Sequence, residues 1–304
     1  MGSSPCPCNV LAASREERLP SRMNTSELLN AFSVDVEDYF HVSAFEKAVD
    51  RSRWGSYESR VVANTHRMLA LLERHQVRAT FFVLGWVAEA YPHLVRDIYR
   101  SGHEIGSHGH WHRLVYEQSP AEFRADLRTS KRILEDTIGA PVTAHRAASF
   151  SITRRSLWAL ELLVEEGFVV DTSIVPALHD RYGIPDACPA LHRIATAAGP
   201  LWEFPPPVLR FAGLKLPVGG GGYFRLLPLP LTLRWLAKVN RHVKQPFVFY
   251  VHPWEIDPDQ PRLPVRSPLS RFRHYVNLAS TERKLEVLLR QFRFGRICDV
   301  IPQQ

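Results

Sequence analysis

From about residue 31 onward, short apolar segments alternate along the chain with longer segments of helical periodicity. Between residues 59 and 75 apolar side chains recur every three or four positions, which predicts an amphipathic helix. Compact apolar runs at 79–84 and 246–252 instead predict buried strands. Further strands are predicted at 31–36, 103–107, 142–146 and 168–171, and further helices at 87–101, 119–137, 153–166, 229–242 and 281–292. This alternation predicts an α/β fold with a parallel sheet.

Two parts of the chain depart from this alternation. Residues 1–30 are polar and lack periodicity, so they are predicted to form a disordered N-terminal extension, within which Met23 is an alternative start. Residues 176–222 are rich in proline and glycine and predict long loops with short strands, which we interpret as a lid or an insertion over a site. No second domain is marked, so residues 31–304 are predicted to form one domain.

Composition narrows the class of protein. With 45% hydrophobic and 23% charged residues, the 304-residue chain has a soluble globular composition, and no apolar run approaches the roughly 18–20 residues of a membrane span. The N-terminal segment lacks the apolar core of a signal peptide, which predicts a cytoplasmic location. The net charge of +7 comes from scattered arginines, so we predict no nucleic-acid partner. A generally basic surface is the simpler interpretation, and an anionic polymer, a nucleotide-linked sugar or a membrane surface is the alternative partner.

Polar residues lie where the predicted strands end. Asp35, His108, Arg146 and Asp171 each fall at or just after such an end, and His252 closes the apolar strand 246–252. Sheets of parallel strands place their chemistry beyond the carboxyl ends of the strands. We therefore expect these side chains to share one edge of the sheet.

The spacing of two histidines predicts a metal site. His108 and His112 are four positions apart, so on one face of a helical turn both imidazoles could bind the same ion. The zinc-peptidase motif His-Glu-x-x-His does not fit, because Ser107 stands where its second histidine would be. Hydrogen-bonded histidines in a surface turn are the alternative interpretation.

Carboxylates at the first strand end could complete that site. Asp35, Glu37 and Asp38 follow a buried strand, and one of them could bind metal while a neighbour acts as general base. Two histidines with one carboxylate leave coordination positions open, which is typical of catalytic metal sites. Arg146 could hold a carboxylate through paired hydrogen bonds, and His252 is well placed as a general acid.

Together these segments resemble the polysaccharide deacetylase family, the NodB-homology carbohydrate esterases, over roughly residues 31–300. Ser-His-Gly-His-Trp-His resembles the family's His-x-x-x-His motif, which implies that His108 and His112 are metal ligands. Ser-Val-Asp-Val-Glu-Asp resembles its first motif, with Asp35 as catalytic base. Arg146 matches the arginine of the third motif and His252 the histidine of the last.

Three longer phrases point to one subfamily. Asp-Val-Glu-Asp-Tyr-Phe-His-Val, Gly-Gly-Gly-Tyr-Phe-Arg and Phe-Arg-His-Tyr-Val-Asn are similar to deacetylases found with exosortase-linked exopolysaccharide loci in Gram-negative bacteria. The resemblance implies a distorted (β/α)7-type barrel with a C-terminal extension from about residue 250. It also implies a role in exopolysaccharide biosynthesis and peripheral association with membrane polysaccharide machinery.

The resemblance implies hydrolysis of an N-acetyl group on a sugar. A divalent ion, with zinc as the expected metal, would be held by His108, His112 and either Glu37 or Asp38. Asp35 would take a proton from water, Arg146 would orient Asp35, and His252 would protonate the leaving amine. Contacts to the N-acetylated saccharide are expected from three residues, Ser149, Asp171 and Trp254, with a backbone N–H near Ser149 at the oxyanion.

Two departures from the family pattern bear on these assignments. The common first motif has adjacent aspartates, whereas Asp35 is followed by Val36, Glu37 and Asp38, so the third ligand is open between the last two. Alanines 147 and 148 occupy the place where the third motif usually has proline, which predicts a looser loop beside Ser149. A glycoside hydrolase using two carboxylates, or a carbohydrate-binding protein without turnover, are the alternative functions.

Overall fold

A computed structural model describes residues 28–46, 48–179, 181–211, 214–265 and 267–302 of the chain. Most of the predicted N-terminal extension therefore lies outside the described residues. Strand β1 (Leu29–Val36) begins two residues before the predicted strand, because residues 29–31 pair with a short strand near the C-terminus. The first residue of β1 is thus set by a partner strand more than 260 positions later in the sequence.

The described strands and helices follow the predicted alternation. The remaining strands are β2 (Thr80–Val83), β3 (Glu104–Ser107), β4 (Ala144–His145), β5 (Val170–Asp171), β6 (His192–Thr196), β7 (Gly199–Glu203), β8 (Val208–Phe211), β9 (Leu214–Pro217), β10 (Val248–Val251) and β11 (Arg293–Gly295). The helices are α1 (Val61–Arg74), α2 (Gly85–Ala90), α3 (Pro92–Arg100), α4 (Pro120–Ile138), α5 (Ala159–Glu165), α6 (Gly221–Leu226), α7 (Leu229–Val243), α8 (Pro268–Tyr275), α9 (Leu278–Gln291) and α10 (Ile297–Val300).

The main sheet is parallel and open. Its order is β10-β1-β2-β3-β4-β5-β7-β6, and the first seven strands are parallel while β6 pairs antiparallel with β7. Strand β11 lies beside the first residues of β1. Within the described residues the two ends of this order do not pair, so the sheet is a curled half-barrel. The α/β prediction is confirmed, with seven parallel strands along the main order and β11 as an eighth parallel strand beside β1.

Strand β1 lies at the centre of the core. Ala31, Phe32, Val34 and Val36 on this strand are fully buried, as expected for a parallel strand covered on both faces. The ring of Phe32 packs against the rings of Phe249 on β10 and Phe294 on β11. With the pairing of Val34 and Val251, these contacts keep β1 and β10 side by side up to the point where the polar residues begin.

Capping residues explain where the predicted helices begin and end. Helix α4 begins after Ser119, whose side chain and that of Glu122 form a reciprocal capping box, and it ends at Gly139 in the left-handed conformation. The single helix predicted at 87–101 is wrong: it is divided into α2 and α3, because Pro92 has no backbone N–H to continue a helix. The helix predicted at 153–166 begins only at Ala159.

Part of the region interpreted as a lid extends the main sheet. Strands β6 and β7 pair antiparallel at its edge, whereas β8 and β9 form a separate two-stranded antiparallel sheet. Gly219 and Gly220 run along β10, where a Cβ on Gly220 would lie 1.9 Å from the Tyr250 carbonyl oxygen. The glycines therefore permit a close approach of two backbones. Among the described helices, none has both the length and the apolar character needed to cross a bilayer.

Candidate metal centre and active site

Three buried side chains converge beyond the ends of β1 and β3. The ligand atoms of Glu37, His108 and His112 all lie within 4.8 Å of one another, and each residue is at most 4% exposed. His112 Nε2 lies 3.1 Å from Glu37 Oε2. This is the only group of metal-binding type found among the described residues.

The two histidines converge by a loop and not by a helical turn, so that part of the prediction is wrong. Residues 108–112 have no regular structure, and both Gly109 (φ +72°) and His112 (φ +50°) adopt left-handed backbone conformations. Asp126 on α4 holds the loop, since its carboxylate accepts hydrogen bonds from the backbone N–H groups of His110 (2.7 Å) and Trp111 (3.1 Å). The ring centroids of His108 and His112 are 5.3 Å apart.

Each of the two imidazoles is oriented by a contact through its Nδ1 atom. His108 Nδ1 lies 2.8 Å from the Arg146 carbonyl oxygen, which can only accept, so Nδ1 carries the proton and Nε2 is left as the donor atom for a metal. His112 Nδ1 lies 3.4 Å from the hydroxyl of Ser43, which is 2.8 Å from the hydroxyl of Ser149. Burial lowers the pKa of His108 to about 4, so at neutral pH it is uncharged, as a metal ligand must be.

Glu37 provides the third ligand atom. Its Oε2 is buried and has no hydrogen-bond partner, although buried carboxylate oxygens are almost always paired. Burial alone would raise the pKa of Glu37, but the charge interaction with His112 and the hydrogen bond and charge of His252 outweigh it and hold the pKa well below its usual range. An orphaned carboxylate oxygen beside two imidazole nitrogens fits a divalent cation.

Asp38 does not join this group, so the alternative assignment of Asp38 as metal ligand is not supported by the geometry. Its Oδ2 accepts hydrogen bonds from the Ser59 hydroxyl (2.8 Å) and the N–H groups of Arg60 (2.8 Å) and Val61 (3.1 Å), at the start of α1. Its Oδ1 accepts from the N–H of Tyr39. Asp38 therefore caps α1, and its oxygens are already occupied.

A buried ion pair lies beside the candidate metal centre. Arg146 Nη1 donates to Asp35 Oδ1 (2.6 Å) and to the Ser33 hydroxyl (2.9 Å), and Nη2 donates to Thr172. The Arg146 side chain is fully buried, and its guanidinium lies 4.4 Å from the ring centroid of Phe82. Because Oδ1 of Asp35 is held in this way, Oδ2 is the oxygen free to act on a substrate or a water.

His252 lies between the base and the metal-binding carboxylate. Its Nε2 is 3.1 Å from Glu37 Oε1 and 3.9 Å from Asp35 Oδ2, and its Nδ1 is 2.7 Å from Glu255 Oε1. Burial lowers the pKa of His252, but the hydrogen bonds to Glu255 and Glu37 and their charges raise it further, to about 10. His252 is therefore an imidazolium at neutral pH, which is the form a general acid needs.

Glu255 connects His252 to the C-terminal part of the chain. Arg225 Nε donates to Glu255 Oε2 at 2.6 Å, and the remaining donors of Arg225 reach backbone carbonyls of Arg273, His274 and Val276 at the end of α8. Burial alone would raise the pKa of Glu255, but Arg225 and His252 lower it to about 2. Both Glu255 and Arg225 are buried, so the pair forms a fixed support for the His252 ring.

Two of the predicted substrate contacts are buried in this structure. Asp171 is fully buried, and its carboxylate pairs with His145 Nδ1 (2.7 Å) and the Ser173 hydroxyl (2.7 Å). Trp254 is 4% exposed, because its ring is stacked between the rings of His252 and His274. Both residues support the site from behind.

The loop that carries Ser149 is held in a different way from that expected of a proline loop. The N–H of Ala147 donates to the Ser173 hydroxyl at 2.8 Å, a bond that proline could not make. Ser149 has φ +50° and is half-buried, with its hydroxyl directed at Ser43. This loop is therefore supported although residues 147 and 148 are alanines.

A cavity of about 830 Å³ opens beside the metal-binding residues. Ser43 lines it and also contacts His112 and Ser149, so one wall of the cavity adjoins the site. Its volume is in the range of small-molecule and oligomer binding clefts. Its other walls are formed by Glu46, Ala48, Leu114, Tyr116, Glu117, Arg181, Pro264, Val265, Ser267 and Ser270.

Four supporting residues were not identified from the sequence. Glu255 follows His252 by three positions, and this spacing before a helical turn is that of a capping box, so a signal for it existed. Arg225 lies in the Gly-Gly-Gly-Tyr-Phe-Arg phrase, which gave no indication of its partner. Asp126 and Ser43 act through long-range contacts, for which one sequence contains no signal.

Comparison with known proteins adds two family matches. Residues 50–164 match the family model described as polysaccharide deacetylase, and residues 172–302 match a domain of unknown function, DUF3473. A peptidoglycan-N-acetylglucosamine deacetylase of Bacillus cereus is 34% identical over 98 residues, which are 32% of this chain and 36% of that protein. A chitooligosaccharide deacetylase of Bradyrhizobium is 30% identical over 95 residues, 31% of this chain and 43% of that protein.

The chain thus spans well under half the length of these curated relatives. A crystal structure described as a polysaccharide deacetylase from Mycobacterium smegmatis covers 91% of this chain and 88% of its own, with a TM-score of 0.58 and 20% identity. At that identity the likeness concerns the fold. The curled half-barrel is therefore an architecture already known from solved structures.

Proposed function

We propose that this chain, whose residues 50–164 match the polysaccharide deacetylase family model, is a metal-dependent hydrolase that removes N-acetyl groups from an amino-sugar polysaccharide or its precursor. One observation carries this proposal. The buried group of Glu37, His108 and His112 lies beside the Asp35–Arg146 ion pair and the His252 imidazolium. Amide hydrolysis needs a base for water and an acid for the amine, and both are present next to the candidate metal ligands.

The reaction adds water across the amide C–N bond, so it releases acetate and leaves a free amine. A divalent cation held by Glu37, His108 and His112 would polarise the carbonyl group and lower the pKa of water. Asp35 accepts the proton of the attacking water at Oδ2, because Arg146 holds Oδ1. His252 donates the proton at Nε2 to the leaving nitrogen, and Glu255 keeps its ring in place through Nδ1. A backbone N–H near Ser149 would donate to the oxyanion.

The finer assignments belong to this proposal. Zinc is the expected metal, and exopolysaccharide biosynthesis with peripheral membrane association is the expected context. The exosortase-linked subfamily, the extent of a single domain over residues 31–304 and the cytoplasmic location stay predictions.

Acetate release tests the proposal directly. We expect the purified full chain, loaded with zinc or cobalt, to release acetate from chitooligosaccharides or from peptidoglycan fragments without producing new reducing ends. Chelation should abolish this activity and added metal should restore it, because the cation supplies the carbonyl polarisation. Coupled acetate assay and reducing-end assay on the same samples give the readout. New reducing ends would indicate a glycoside hydrolase, and metal binding without acetate release from any of these substrates would contradict the enzyme assignment.

The third ligand can be tested with two neighbouring carboxylates. We expect Glu37→Gln to weaken zinc binding by at least about a hundredfold, since losing a metal ligand should cost at least as much affinity as losing a residue that orients one. Asp38→Ala should bind zinc with unchanged affinity but lose about 2–4 kcal/mol of unfolding free energy, because three backbone donors and Ser59 lose their acceptor. Calorimetric zinc titration and denaturant unfolding of both variants separate the two roles. If Asp38→Ala loses zinc affinity while Glu37→Gln keeps it, the assignment of the third ligand is reversed.

A further inference from the structure

Helix α8 forms part of the rim of the cavity beside the candidate active site. Ser267 and Ser270 line the cavity, whereas His274 is buried against the protein. Leu269 and Phe272, three positions apart, face outward and are 57% and 55% exposed. Large apolar side chains at this exposure, close together on one helix, are typical of a contact surface.

Along the sequence, the side-chain charges in and around α8 are positive, although Glu46 and Glu117 line other walls of the cavity. Residues 261–280 contain four arginines and no aspartate or glutamate. Of these arginines, Arg262, Arg271 and Arg273 are exposed, and the Arg262 guanidinium lies 4.1 Å from the ring centroid of Tyr275 at the end of α8. We refer to Arg262, Leu269, Arg271, Phe272 and Arg273 as the α8 rim.

The α8 rim is held firmly on the body of the protein. Arg225 donates to three carbonyls at the C-terminal end of α8, and the His274 ring stacks on Trp254 with a centroid distance of 4.3 Å. Helix α6, which contains Arg225, also ends in an exposed apolar side chain, Leu226. The exposed apolar residues are therefore presented by a rigid support.

A second part of the cavity wall repeats the same combination. Arg181 lines the cavity, and Leu178, three positions earlier, is 81% exposed. In sequence, exposed apolar residues thus occur within three positions of an arginine both on α8 and in the segment that contains Arg181. A flat partner that contacts the rim would cover the cavity mouth as well.

We propose that the α8 rim docks on the surface of a lipid bilayer that contains anionic phospholipids. The arginines match the phosphate groups of the headgroups, and Leu269 and Phe272 match the apolar boundary beneath them. A soluble polyanion would satisfy the arginines but would leave both apolar side chains in water. The inference deepens the proposed function and rests on it in one respect, since it places the deacetylase cleft next to saccharides that lie at a membrane.

Vesicle binding tests the inference without any measurement of activity. We expect the purified full chain to sediment with vesicles of mixed phosphatidylglycerol and phosphatidylcholine, and not with phosphatidylcholine alone. The double variant Arg271→Gln/Arg273→Gln should bind about thirtyfold more weakly, because two basic residues near an anionic surface are lost. Leu269→Ser/Phe272→Ser should bind at least about tenfold more weakly, because apolar contact with the bilayer is lost. Binding of the unmodified chain should also fall at high salt.

Matched controls come from helix α3, where Arg96 and Arg100 are exposed beside the exposed Tyr99. Arg96→Gln/Arg100→Gln makes the same change in net charge and should bind like the unmodified chain. If the two arginine double variants lose vesicle affinity equally, the inference is overturned, because binding then follows net charge alone. If Arg271→Gln/Arg273→Gln weakens vesicle binding but Leu269→Ser/Phe272→Ser does not, the α8 rim is a site for a soluble polyanion. All variants should retain acetate release from soluble oligosaccharides, so failure of vesicle binding and failure of the proposed function are separate results.

Discussion

Asp35→Asn is expected to lower kcat for acetate release by between about a hundredfold and ten-thousandfold, the range for loss of a general base. Arg146 holds Oδ1 of Asp35 at 2.6 Å, so Oδ2 is the oxygen available to take a proton from water. An amide side chain at position 35 can still accept the hydrogen bond from Arg146 but cannot accept that proton. Zinc affinity should change little, because Asp35 is outside the Glu37, His108 and His112 group.

A nearby control separates the base from its support. Ser33 also accepts a hydrogen bond from Arg146 Nη1, at 2.9 Å, and its hydroxyl donates to the Phe249 carbonyl. We expect Ser33→Ala to cost about 1 kcal/mol of unfolding free energy and less than about tenfold in kcat. Steady-state kinetics with saturating zinc, together with zinc titration of each variant, give the comparison. Full activity in Asp35→Asn would remove Asp35 from the role of base, and an equal loss in Ser33→Ala would assign the effect to the position of Arg146.

The sequence predicts those site residues that have metal-binding or acid–base side chains and lie at the ends of predicted strands. Asp35, His108, Arg146 and His252 each end a buried apolar segment, and parallel strands bring such ends to one edge. The alternation of segments was sufficient for the α/β fold. The spacing of His108 and His112 also predicted that both side chains reach the same site. The helical turn predicted to bring them together was wrong, because a loop with left-handed residues does so.

Contacts between distant segments explain what the sequence left open. Choosing between Glu37 and Asp38 required knowing that α1 begins where Asp38 can cap it, a contact across more than twenty residues. Asp171 and Trp254 have suitable chemistry for a saccharide, but neighbouring strands and rings bury both. The open half-barrel, with β11 beside β1, depends on pairing between the two ends of the chain.

Glu255→Gln is expected to destabilise the metal-free protein by about 3 kcal/mol at neutral pH. The substitution leaves the buried Arg225 guanidinium without its carboxylate partner, and breaking one side of a buried ion pair typically costs about 3–5 kcal/mol. It also removes the charged acceptor of His252 Nδ1, so the ring is held less precisely. We therefore expect kcat for acetate release to fall by about a hundredfold with little change in KM.

The pH dependence of stability distinguishes this carboxylate from an ordinary packing residue. The folded-state pKa of Glu255 is about 2, below its ordinary value of 4.5, so its ionised form favours the folded state. That contribution is fully present above about pH 4.5 and is lost as the pH falls through about 2. The difference in unfolding free energy between the unmodified chain and Glu255→Gln should therefore shrink over this window, as measured by denaturant unfolding with chelator present.

Asp257 offers a matched control on the same turn. Its carboxylate accepts hydrogen bonds from Arg60 and Asn64 and does not contact His252, so Asp257→Asn should reduce stability without a selective loss of kcat. The difference in unfolding free energy between the unmodified chain and Glu255→Gln could instead stay constant from pH 5 to about pH 2. That result would mean that the charge of Glu255 is not the source of the effect. If kcat is also unchanged in Glu255→Gln, His252 is positioned by its stacking on Trp254 at 5.0 Å and not by Glu255. The C-terminal segment would then act on the site through packing, since Glu255 makes the hydrogen-bonded link from Arg225 to His252, whereas the Arg225 guanidinium also lies 5.2 Å from the centroid of the Trp254 ring.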